Sequence, residues 1–130
     1  MTITPITAGI LALLLLVLSV LVVVGRGKLK ILFGDGGDET LRRRQRAQGN
    51  FTEYVPMALI LMLLMETGEI GPGWLLMSMA VVLVLARLWH AQGMLSNVPL
   101  SAGRVWGTSA TWLVILVGAV ATVGRGAGVW

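Results

Sequence analysis

Arg46, Asn50 and Glu53 stand four and three residues apart in the chain, a spacing that puts all three on one face of a helix. Arg43 extends the stripe at one end and Met57 at the other. Along that face the chemistry passes from cation to amide to carboxylate to thioether. Arginine binds carboxylates bidentately. Asparagine offers a donor and an acceptor together, and glutamate takes an ammonium or backbone amides. The set suits a small guest that carries both carboxylates and an ammonium. Glu53 is the sharpest of the three, because residues 57–65 after it are apolar throughout. A carboxylate at membrane depth is costly and faces protein or trapped water. An ion pair with Arg87, or hydrogen bonds to another helix, explains it as well as a ligand does.

Arg87, His90 and Met94 repeat the pattern at spacings of three and four, again on one helical face. Arg87 can snorkel to headgroups, pair with Glu53 or meet an anionic guest. His90 is the single histidine. It has no partner ligands for a metal site, which leaves an interfacial hydrogen bond or a ligand contact. Arg104 opens the last apolar segment after a glycine. A helix start favours anions, and a nearby cation lowers a thiol pKa. A purely topological role fits Arg104 as well.

The elements that carry these residues are spanning helices. The chain has 130 residues, of which 56% are hydrophobic and 12% charged, a balance unlike that of a soluble globule of this size. Residues 6–24, 70–86 and 105–124 are uncharged, and residues 47–65 are uncharged except for Glu53. Runs of about 18 or more apolar residues read as transmembrane helices. The expected architecture is an all-α integral membrane bundle in one domain, with four helices over about 6–25, 40–66, 73–95 and 102–124. Removal of the first helix as a signal peptide is not expected, given its uncharged start, its length and the lack of a small-residue cleavage site. Asn97-Val98-Pro99 breaks the third helix from the fourth. Trp74, Trp106 and Trp130 fall near helix ends, where aromatic belts form.

Charge sets the orientation. Arg26, Lys28, Lys30, Arg42, Arg43, Arg44 and Arg46 lie between the first two apolar runs, and the turn after the second has no Lys or Arg. The positive-inside rule puts the basic loop in the cytoplasm and both termini outside. The net charge of +4 therefore reports orientation and membrane-lipid contact rather than nucleic acid. On that topology the glycosylation triplet Asn50-Phe51-Thr52 is a chance match. With no cysteine, disulfides and a cysteine nucleophile are excluded. Polar groups on more than one helix face predict a closed homo-oligomer.

The segment Arg46-Ala47-Gln48-Gly49-Asn50-Phe51-Thr52-Glu53-Tyr54-Val55-Pro56 closely resembles one found in leukotriene-C synthases, members of the MAPEG superfamily of eicosanoid and glutathione metabolism. Arg87-Leu88-Trp89-His90 resembles the prostaglandin-E synthase branch, and Gln92-Gly93 the leukotriene branch. The resemblance covers nearly the whole chain. It implies a homotrimer with glutathione bound between subunits near the cytoplasmic face. Arg43, Arg46, Gln48, Asn50, Glu53, Tyr54, Arg87 and His90 are then the glutathione-binding residues, and Arg104 stabilises the thiolate. One of Arg26, Lys28 and Lys30 supplies a further basic group. The chain departs from the eicosanoid branches at Met94, where they place a tyrosine. Its shortness resembles bacterial members and implies an inner-membrane location.

The function expected from the resemblance is a membrane glutathione transferase, with peroxidase activity toward lipid hydroperoxides within reach of the same site. Glutathione thiolate would attack an apolar or lipid-derived electrophile arriving from the bilayer, without a metal. The alternative is a non-catalytic lipid- or thiol-binding protein on the same scaffold. A four-helix drug transporter fits less well, because such proteins carry the key carboxylate in the first helix and residues 6–24 have none.

Overall fold

In a computed structural model, which describes residues 2–98 and 100–129, the chain folds into four long helices. They are α1 (Ile3–Leu29), α2 (Glu39–Thr67), α3 (Gly73–Leu95) and α4 (Ala102–Gly126). Pro99 and Trp130, which the sequence places at a helix break and a membrane boundary, lie outside the described residues.

Each helix starts and stops for a local reason. The first backbone N–H groups of α1 have no helical partners. Glu66, near the far end of α2, supplies them: its carboxylate accepts from Ile3 N at 2.9 Å, from Thr4 N at 2.8 Å and from Thr2 N. An anion at a helix N-terminus also opposes the helix dipole favourably. At the other end Lys30 takes a left-handed conformation with φ 55°, and Ile31 N donates back to Arg26 O at 3.1 Å. Asp38 caps α2 by accepting from Leu41 N at 2.6 Å, as side-chain carboxylates do at helix starts. The loop between α1 and α2 is held by Asp35, which accepts from Gly37 N at 2.9 Å and from Arg42 Nε at 2.6 Å. The Arg42 guanidinium holds the Asp35 carboxyl below the usual carboxylate range.

Three helices, α1, α3 and α4, are long and apolar enough to cross a bilayer. The 29 residues of α2 are long enough, but the polar stretch from Arg42 to Glu53 lowers its hydropathy. Pro56 lies within α2, where the polar half gives way to the apolar half. The buried face of α2 packs Phe51, Val55, Ala58, Met62 and Met65 into one core with Leu11 and Leu18 of α1, Met79 and Leu83 of α3 and Val114 of α4. The outer surface stays apolar too, with Leu13, Leu16, Leu85 and Leu116 all more than half exposed. That arrangement is stable only with hydrocarbon outside, where the helices satisfy their own backbone.

The largest interface joins α3 and α4. Gly103, Gly107 and Thr111 recur every four residues along it and are buried. A Cβ on Gly107 would lie 2.7 Å from both Ala86 O and His90 Cβ. Small residues at this spacing let two backbones approach closely, which is how helices associate when lipid offers no hydrophobic drive. Substituting Gly107→Val should therefore force α3 and α4 apart and destabilise the fold by about 1–3 kcal/mol. Thermal unfolding in detergent measures this, and an unchanged midpoint would show that the seam tolerates a side chain.

Candidate functional site

The polar half of α2, the last turns of α3 and the first turns of α4 enclose a groove of about 370 Å³. Arg46 and Asn50 enter it from α2, His90 and Met94 from α3, and Arg104 with Thr108 from α4. Trp112 closes it at the apolar end. Its cationic end carries two guanidinium groups and its far end is an aromatic wall.

Asn50 is oriented from behind. Arg87 is 1% exposed and donates from Nη1 to Asn50 Oδ1 at 3.0 Å. A guanidinium only donates, so the amide oxygen must face it and the amide N–H groups are left for the groove. The remaining Arg87 nitrogens, Nε and Nη2, are buried with no hydrogen-bond partner among the described residues. Arg87 is thus a support for the site rather than part of its wall. His90 is 4% exposed, lines the groove and lies within electrostatic reach of both Arg87 and Arg104.

Arg104 is placed by the junction of α3 and α4. It is the third residue of α4, and its backbone N–H donates to Ser101 O at 3.0 Å. Ser101 Oγ donates to Gly93 O at 3.0 Å. A Cβ on Gly93 would lie 2.7 Å from Arg104 N, so only glycine lets the start of α4 rest on α3. The groove therefore combines two arginines, the start of a helix and amide donors, with no acidic side chain on its walls. Such a set of groups can accept hydrogen-bonding anions.

Residues 4–124 match the family model described as the MAPEG family. The chain belongs to the MAPEG family. Its relatives include the inner membrane protein YecN of Escherichia coli strain K12 and the same protein of an Escherichia coli O6:H1 strain. Each is 38% identical over 106 residues, covering 82% of this chain and 79% of the relative. No solved structure matches the chain.

Several positions that the MAPEG resemblance marks for glutathione have other neighbours within the chain. Arg43 Nη1 donates to Ser96 O and to Asn97 Oδ1, both at 2.8 Å, and so ties α2 to the end of α3. Gln48 Nε2 donates to Ser19 Oγ of α1 at 2.8 Å. Tyr54 meets Trp112 edge-on, with ring centroids 6.2 Å apart. Glu53 is exposed on α2 and has no ion-pair partner among the described residues, so the pairing with Arg87 weighed from the sequence does not form. Of the three basic residues ending α1, Lys28 and Lys30 are exposed and Arg26 donates weakly to Leu32 O at 3.5 Å. None of them lines the groove. Among the described residues no three acidic or histidine side chains gather to hold a metal ion.

Thr108, Ser109 and Trp112 line the groove without having stood out in the sequence. The signal was present: Arg104, Thr108 and Trp112 follow one another at intervals of four, which is one helical face.

If Asn50 is what satisfies Arg87, Asn50→Leu should leave a buried guanidinium without any partner. The loss is about 1.5–3 kcal/mol, the range for hydrogen bonds to charged groups. Asn50→Asp, which restores an acceptor, should recover stability in the same unfolding assay. Equal stability of the leucine variant and the unsubstituted protein would disprove the supporting role of Arg87.

Proposed function

We propose that this MAPEG protein is a membrane glutathione transferase whose thiol substrate sits in the groove between α2, α3 and α4. The observation that carries the proposal is the convergence of Arg46, Asn50, His90 and Arg104 on one cavity of about 370 Å³ whose side chains offer donors and positive charge but no acid. Glutathione presents two carboxylates and a thiolate, and each needs such donors.

On this reading Arg46 binds a carboxylate of the tripeptide and the Asn50 amide donates to its backbone. Arg104, in the first turn of α4, faces the sulfur. A guanidinium there, helped by the positive end of the helix, favours thiolate over thiol. The thiolate attacks an apolar electrophile that enters from the bilayer along Trp112. Peroxidase activity toward lipid hydroperoxides belongs to the same chemistry, since it also starts from a thiolate. The protein supplies no nucleophile of its own.

The ammonium of glutathione needs an acceptor. Glu53 is the acid closest in sequence to the site and is exposed on the outside of α2. A carboxylate at that depth is not left facing lipid. We infer that a neighbouring copy covers this face, so that a homotrimer forms the complete site and Arg43, Gln48, Tyr54 or the basic end of α1 approach glutathione across the subunit boundary. The basic loop then lies in the cytoplasm and both termini lie outside, in a bacterial inner membrane.

Met94 favours a second reading. It lines the groove beside His90, in a position where a hydroxyl would serve catalysis. A protein that binds a thiol or lipid without turning it over is compatible with that thioether.

Calorimetry in detergent separates these readings. Arg46→Ala and Glu53→Gln should each weaken glutathione binding by at least ~30-fold, the effect of truncating one partner of a buried charged contact. Normal binding in both variants would refute the site. Arg104→Ala should keep most of the affinity but raise the pKa of the bound thiol by about one unit or more, seen as lost thiolate absorbance and slower conjugation. Binding without conjugation of any electrophile by the unsubstituted protein would instead support the non-catalytic reading.

A further inference from the structure

In helices that face hydrocarbon, serine and threonine hydroxyls turn back on the carbonyl four residues earlier, because nothing else accepts their proton. This chain follows that rule at Thr7, Ser19, Thr67, Ser78, Thr111 and Thr122. Thr108 and Ser109 depart from it. Both lie in the interior of α4. Neither hydroxyl has a hydrogen-bond partner among the described residues, and both line the groove. Thr108 follows Arg104 by four residues and precedes Trp112 by four. Its side chain therefore stands one turn deeper than the guanidinium and one turn short of the aromatic wall.

Resting on the transferase reading, we propose that Thr108, with Ser109 beside it, is the hydrogen-bond donor for an oxygen of the second substrate. The groove is then specific for electrophiles whose reaction places negative charge on oxygen, with an α,β-unsaturated carbonyl as the matching class. Sulfur held at Arg104 forms a bond to the β-carbon. The alkene π pair moves toward the carbonyl, whose oxygen becomes the enolate oxyanion. Thr108 donates to that oxygen as the charge grows. A proton from water then adds at the α-carbon, and nothing leaves. The apolar remainder of the substrate lies along Trp112. Met94, opposite, offers no O–H, so α4 supplies the donor that α3 lacks.

Donors aimed at a developing oxyanion typically change rates by about 100-fold or more. The test compares Thr108→Val, Ser109→Ala and Thr108→Ser on two electrophiles with glutathione: an aryl-substituted enone, and benzyl chloride, whose leaving chloride creates no oxyanion. Thr108→Val should lose about 100-fold in kcat on the enone, at least about tenfold more than it loses on benzyl chloride. Thr108→Ser should restore most of the enone rate, and Ser109→Ala should show a smaller enone-selective loss. Equal losses on both electrophiles, or no loss, would overturn the assignment of Thr108 while thiolate absorbance by the bound glutathione still upheld the transferase reading. Absence of that absorbance in the unsubstituted protein would overturn both.

Discussion

A guanidinium buried to 1% exposure between two helices of a membrane protein constrains everything near it. Arg87 cannot leave the α2–α3 interface without losing its hydrogen bond to Asn50, and it cannot stay there without one. Together with the Arg43 bonds to Ser96 O and Asn97 Oδ1, that bond sets which residues of α2 face α3. It also fixes the direction of the Asn50 amide, and with it the kind of guest the groove can take. Had Asn50 offered its oxygen to the cavity, the site would be mixed. With the oxygen committed to Arg87, the Asn50 amide shows donors alone. The polar half of α2 is tolerated in a bundle of apolar helices partly because it answers this buried charge.

The four helices were legible because their apolar runs are separated by turn formers and charge. Their ends were less so. The first helix begins at Ile3 rather than at residue 6, because Glu66, more than sixty positions away, caps it. No local pattern announces such a partner. The site was half legible. Arg46, Asn50, His90 and Arg104 have spacings that place them on shared helical faces, and they line one groove. Arg87 shares that spacing but acts behind the wall, since a 3.6-residue period gives a face and not the depth of a side chain. Arg43 and Gln48 bond to the end of α3 and to α1, contacts that depend on tertiary packing. Thr108 and Ser109 carry no signal of their own in the sequence, because a hydroxyl in an apolar helix ordinarily satisfies itself.

α4 shows how packing and chemistry divide one helix. Its glycine face, Gly103 and Gly107, presses against Trp89, Ala86 and His90 of α3. The face that carries Arg104, Thr108 and Trp112 borders the groove. Both faces serve the same end. Close contact at the glycines brings His90 and Arg104 to one cavity, and Gly93 lets the start of α4 settle where Arg104 overlooks it. On the transferase reading such rigid placement matters, since a charge aimed at a developing anion helps only if it is already in position.

The charge balance of the groove leads to the remaining step. Two arginines and a donor-only amide face the cavity, and no acid does. A dianionic or thiolate-bearing guest offsets that excess, but one that also carries an ammonium needs a carboxylate within reach. Glu53 has no ion-pair partner among the described residues and points out of the bundle. On the transferase reading, a single chain therefore holds the two halves of its binding site on separate surfaces. Two copies packed through the α2 face would bring them together and remove an exposed acid from the membrane at the same time. On the transferase reading, assembly and ligand binding then draw on the same side chain, and glutathione should stabilise the oligomer as well as occupy it.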